Sequence, residues 1–126
     1  MLGNEAQACE VKELLVPKSA ANTSAATGTA IDITAYEGDL LVTQHVGALT
    51  GSIDGKLQQC DDAGGTNAAD ISGAVWAQLT AAGIGKITIP AGSLSKKFVR
   101  YVGVIVTGPA LVAVQLHARP KYTTNF

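Results

Sequence analysis

Ser93-Leu-Ser-Lys96 has the Ser-x-x-Lys spacing in which a serine serves as nucleophile for acyl transfer beside a basic lysine. The companion Ser-Asp-Asn and Lys-Thr-Gly motifs are absent, and 126 residues are too few for the fold that carries them. Gly85-Lys86 closes a stretch that could suggest a phosphate loop. Such a loop would have to open on glycine where Thr80 stands, and the residue after Lys86 is Ile87 rather than Ser or Thr. His45 and His117 are the only histidines, and a two-histidine metal site would need carboxylates converging from elsewhere. Both read as surface or interface residues. Asp61, Asp62 and Asp70 flank a glycine-rich loop and offer the oxygen ligands that calcium takes, but not at the helix-loop-helix spacing. No paired carboxylates and no nucleophile–base pair can be nominated. The reading is a non-enzymatic chain with no cofactor and no metal.

Cys9 and Cys60 are the only cysteines, neither lies in a Cys-x-x-Cys pair, and a zinc site would lack ligands. Met1-Leu-Gly-Asn-Glu-Ala has no basic flank ahead of an apolar run, so no signal peptide is expected. A reducing cytosol and two free thiols follow, with a disulfide as the other reading; the sequon at Asn22 is then idle. No apolar run approaches the ~20 residues of a membrane helix. Net charge is -1, which gives no electrostatic footprint for nucleic acid. Charged residues are 15% of the chain, against about 25% in an average domain. The apolar fraction is ordinary, so the deficit falls on the surface. A weakly charged surface suits a protein covered by neighbours; the other reading is a small β protein in which Ser, Thr, Asn and Gln replace charges.

The elements that would position these residues are short strands. Glu10–Val16 is closed by Pro17, and the Ser/Ala/Thr-rich segment 18–28 is a loop by composition. Strands follow at 29–34, 40–46, 52–60 and 84–89, with 36–39 as a turn and 61–67 as a flexible loop. Residues 74–79 read as a strand or a single helical turn. The longest β signal is Lys97–Arg119, two apolar arms hinged on Thr107-Gly108-Pro109, expected to lie side by side as a hairpin. Turn signals recur at the spacing of an all-β fold. The expectation is a single domain over 1–126, an antiparallel β-sandwich of about seven or eight short strands with the jelly roll as one form of it. Residues 1–9 would be a loose arm and 119–126 a tail.

Alternation assigns Ile31, Ile33, Leu40, Val42, Val46, Ile53, Leu57, Val75, Leu79, Ile87 and Ile89 to the core. With Val75, Ala77 and Leu79 inward, Trp76 points outward, as a sugar-stacking platform or an interface anchor; with parity reversed it is core. The first arm of the terminal segment is apolar on both faces, Phe98, Val102, Val104 and Val106 on one and Val99, Tyr101 and Ile105 on the other. A sandwich sheet buries one face, so the surplus points to partner contact. The tail adds Arg119, Lys121, Tyr122 and Phe126. The candidate interface is therefore Trp76, Val99, Tyr101, Ile105, Arg119, Lys121, Tyr122 and Phe126.

The block Phe98–Ala118 with Ile87-Thr-Ile-Pro-Ala-Gly-Ser-Leu before it, together with Ile31–Val42 and Ser52-Ile-Asp-Gly-Lys-Leu, resembles the head decoration (cement) proteins of tailed bacteriophages. Arg100, Gly108 and Leu111–Leu116 match their Arg-bearing strand, glycine-centred turn and second apolar strand. The likeness spans about residues 29–118. It implies a β-sandwich on the capsid exterior that binds the major capsid protein, bridges its subunits and resists genome pressure. The expected localisation is the virion, after synthesis in the host cytoplasm. A homotrimer is expected, with a dimer as the alternative. The competing reading is a carbohydrate-binding β-sandwich of a phage adhesion structure, with Trp76, Tyr36 and Tyr101 as stacking faces.

Overall fold

The computed structural model describes residues 10–23, 25–90 and 92–120. Eight strands follow in order: β1 (Glu10–Ala20), β2 (Ile31–Asp32), β3 (Tyr36–Leu49), β4 (Ser52–Cys60), β5 (Ala69–Val75), β6 (Gly83–Ile89), β7 (Phe98–Val106) and β8 (Ala110–Pro120). They form two four-stranded sheets, β1-β8-β3-β6 and β2-β7-β4-β5, and every pairing is antiparallel. We call these sheet 1 and sheet 2. Each draws strands from both ends of the chain, which is the interleaved order of a jelly roll. The expected β-sandwich is the fold.

Strict alternation builds the core. In β3, Leu40, Val42, Gln44 and Val46 face inward, and in β8 Val112, Val114 and Leu116 do the same. Ile53 and Leu57 of β4 and Val99 and Tyr101 of β7 meet them from sheet 2, all fully buried. Each buried aliphatic of this size contributes about 1.5–3 kcal/mol relative to exposure. The fold therefore rests on this layer between the sheets.

The terminal hairpin is not formed. β7 pairs with β2 and β4, whereas β8 pairs with β1 and β3, so the two arms lie in different sheets. The hinge is a corner. Thr107 sits at φ 61, and a Cβ on Gly108 would meet the carbonyl of Ala21. The chain turns there from one layer into the other, so the arms face each other across the core. Both arms are apolar because both line it.

Other boundaries also move: the strand expected over 29–34 is only Ile31–Asp32, and residues 18–20, expected in a loop, belong to β1. Pro17 lies inside β1, within a register shift between Leu15 and Lys18, where an edge strand tolerates a missing N–H. Residues 36–39 belong to β3 and not to a turn. A register shift between Glu37 and Leu41, with Gly38 at φ 73, absorbs the irregularity. β5 begins at Ala69, earlier than expected, and the chain after it keeps contact with β4 through an Ile53–Leu79 bridge.

Candidate functional site

The residues with catalytic types are held apart and engaged locally. Ser93 Oγ donates to the Pro90 carbonyl at 2.7 Å, while Lys96 Nζ pairs with Asp61 at 3.0 Å, so the lysine of the Ser-x-x-Lys spacing is engaged away from its serine. Asp62 accepts from the Gly64 and Thr66 amides and from the Thr66 hydroxyl, closing the 61–67 loop on itself. Asp70 accepts from Gln58 and pairs with Lys56. These donors hold each carboxyl below its usual range: Asn67 and then Lys96 for Asp61, Thr66 for Asp62, Gln58 and then Lys56 for Asp70. Among the described residues no three such groups converge on a possible metal position. Thr43 Oγ1 and His117 Nε2 lie 3.3 Å apart on the outer face of sheet 1, and His45 is exposed on the same strand as Thr43. Cys60 is buried with a free thiol, which burial pushes up in pKa. Cys9 lies outside the described residues.

The aromatic residues form a buried cluster. Tyr101 Oη donates to Gln44 Oε1 at 2.6 Å, and its ring meets that of Trp76 edge-on at 5.7 Å. Burial pushes the Tyr101 phenol well up in pKa, so it stays a donor. Gln44 is the one buried polar side chain among the described residues; it is missing from the core assigned by sequence, and its place between Val42 and Val46 is the signal that could have found it. Gly55 makes room for the cluster: a Cβ there would collide with the Gln44 amide oxygen and approach Tyr101 Oη to 2.9 Å. Trp76 Nε1 is buried without a hydrogen-bond partner.

Several predicted interface residues are therefore core. Trp76 is 6% exposed, while Val75 is 60% exposed. Gly73 at φ 80 and the register shift between Lys56 and Gln58 reverse the expected parity. Val99 and Tyr101 are fully buried, and Ile105 packs against the core. Val104 and Val106 are instead the exposed apolar residues of β7, while Val102 on the same side of the strand is buried beside the Thr27 bridge. Tyr36 is buried too, its hydroxyl donating to Glu10 at 3.1 Å. Trp76, Tyr36 and Tyr101 thus offer no open face for sugar stacking. Arg119 is exposed and lies in β8 across from Glu37, so the ladder extends further than expected. Lys121, Tyr122 and Phe126 lie outside the described residues, as does the 1–9 arm.

Several large apolar side chains remain exposed among the charged and polar ones. Leu111 and Val11 lie on sheet 1, Ile84 projects from β6, and Val104 and Val106 project from sheet 2. Between the facing edges of β5 and β6 are two clefts, one beside Ile84 and one at the other end of β6. One of about 180 Å3 is lined by Gln44, Trp76, Ala77, Leu79, Ile84 and Gly85. The other, of about 320 Å3, lies between Ile71–Ala74 and Thr88–Pro90.

No family model and no curated protein matches the chain. The likeness is to solved structures, and it is one of fold. The SPBc2 prophage-derived protein YomS is 16% identical over 87% of this chain and 93% of its own, with a TM-score of 0.54. A structure of Bacillus endospore appendages, described as a family of disulfide-linked pili, is 9% identical over 89% of this chain and 88% of its own, with a TM-score of 0.53.

Proposed function

We propose that the chain is a non-enzymatic structural subunit of a tailed-phage particle, one that decorates the capsid exterior and bridges major capsid protein subunits. The observation that carries this reading is the apolar surface left on both outer faces, Leu111 and Val11 on one and Val104 and Val106 on the other. On a chain with 15% charged residues, that surface favours coverage by neighbours. The fold shared with a prophage-derived protein over nearly its whole length supports the phage context. The resemblance of residues 29–118 to cement proteins supports the capsid as the partner. Repeated weak contacts over a lattice would then act through avidity.

Self-association as a homotrimer, or alternatively a dimer, should bury at least ~800 Å2 per subunit. A chain that stays monomeric by light scattering at high micromolar concentration counts against a preformed oligomer. The tail is the proposed arm. Removing residues 121–126, which leaves the β8 ladder whole, should weaken capsid binding and leave the melting temperature nearly unchanged. Lost stability with retained binding would make the tail structural. The decisive measurement is mass spectrometry of purified source particles, with cryo-EM to place the chain. Its absence from particles sinks the proposal.

A further inference from the structure

The sandwich has four strand edges, and three of them are obstructed. β1 carries Pro17 and two register shifts, β2 is two residues long, and β5 contains Gly73 and a register shift against β4. β6 differs. It pairs with β3 from Leu40–Ile89 to Val46–Gly83 without a shift, contains no proline, and among the described residues its backbone ladder runs to β3 alone. Half of its backbone N–H and C=O groups therefore point away from the sheet, a template for another strand.

The surroundings of β6 specify what such a strand would carry. Gly83, Gly85, Ile87 and Ile89 share the inward face with Val42 and its neighbours, and Ile84, Lys86 and Thr88 face outward. A residue added opposite Lys86 would face outward beside its ammonium. Lys86 is the one charge of β6 and has no ion pair among the described residues. The residues on either side, opposite Gly85 and Ile87, would face inward, the one opposite Gly85 at the mouth of the cleft that Gly85 lines. The nearer cleft holds an orphan donor. A Cβ on Gly85 would lie 2.8 Å from Trp76 Cδ1 and 3.3 Å from Nε1, so the indole N–H edge borders the β6 side of that cleft. Pairing of β6 with a second copy is disfavoured, because the centred antiparallel register sets Lys86 against Lys86.

We infer that the β6 edge receives an extended segment of a partner protein with the pattern apolar–acidic–apolar, added as a further strand. The carboxylate meets Lys86, the small apolar side chain opposite Gly85 enters the nearer cleft, the one opposite Ile87 covers the inward face of β6, and the segment brings an acceptor to the Trp76 N–H. The inference goes beyond the capsid reading and stands whether or not the partner is a coat protein.

The test uses the full chain labelled with 15N and two acetylated, amidated peptides, Thr-Val-Glu-Val-Thr and Thr-Val-Lys-Val-Thr. Trp76 is the single tryptophan, so its indole N–H gives one isolated signal. The glutamate peptide should shift that signal and the amides of Gly83–Ile89, with an affinity at least fivefold above the lysine peptide. Lys86→Glu, a change at an exposed position, should invert the preference. Equal response to both peptides, shifts mapping outside β6, or a Lys86→Glu variant with unchanged preference would each overturn the inference.

Discussion

β1 runs along β8 with two register shifts, holds Pro17 within the strand, and brings Glu10, Lys12, Glu13 and Lys18 to one edge of sheet 1. β6, at the opposite edge of the same sheet, runs along β3 unshifted and carries Lys86 alone. Proline, bulges and charge are the devices that keep an edge from recruiting other chains. Their concentration on β1 and near absence from β6 separate a protected border from an open one. Packing tells the same story. β1 tucks Leu14 and Leu15 under the sheet through a bulge, while β6 leaves Ile84 at 75% exposure and leans on Trp76 across Gly85.

The largest test of that contrast is Trp76→Ala. Removing a buried indole from the β6 side should cost about 3–5 kcal/mol in chemical denaturation. Val11→Ala on the exposed side of β1 should stay within about 0.5 kcal/mol. Equal costs would mean that Trp76 does not close the β6 side of the core.

Gly85→Val attacks the same contact from the strand. Its Cβ would lie 2.8 Å from the indole, inside normal contact, so overpacking should cost about 1–3 kcal/mol. The melting temperature of the variant reads this directly. A neutral result would show that Trp76 can move aside, and with it the wall of the cleft.

Editing the edges should change association more than stability. Lys86→Ile removes the single charge of β6 and should raise the sedimentation-derived mass at fixed concentration. Pro17→Val on β1 should change it less, because the register shift at Leu15–Lys18 still bends that edge. If Pro17→Val associates more strongly than Lys86→Ile, β1 is the recruiting edge.

The edge contrast was only half legible beforehand. Alternation located β3, β4, β6, β7 and β8, and it placed Leu40, Val42, Val46, Ile53, Leu57 and Ile89 in the core, because a period of two leaves little choice where one face is buried. It failed at Trp76, where Gly73 at positive φ resets the parity of everything after it. It failed again at Thr107-Gly108-Pro109. Turn-forming residues mark a reversal, but they do not say whether the next strand joins the same sheet or the facing one. That second error moved Val99 and Tyr101 from core to interface. The exposed partners of those residues, Val104 and Val106, were on the correct strand with the wrong face outward. The open edge of β6 depends on strand order in the whole sandwich, which no local pattern contains.

The smallest expected effect lies at the start of β1. Glu10 accepts from Tyr36 Oη and pairs with Lys12 Nζ, each at 3.1 Å, tying the protected edge to β3. The Lys12 hydrogen bond, followed after desolvation by that of Tyr36, holds the Glu10 carboxyl below its ordinary 4.5. A carboxyl with a lowered folded pKa stabilises the fold fully above its unfolded value, and that contribution disappears as pH falls through the lowered one. Stability should therefore decline below about pH 4.5 in part through Glu10, and Glu10→Gln should remove that part of the slope. The pair is partly exposed and solvent-screened, so the difference at neutral pH should be about 0.2–1 kcal/mol. Denaturation of the two forms at pH 7 and pH 3 measures it. Parallel pH profiles would show that Glu10 does not anchor the protected edge, leaving Pro17 and the bulges as the features that distinguish β1 from β6.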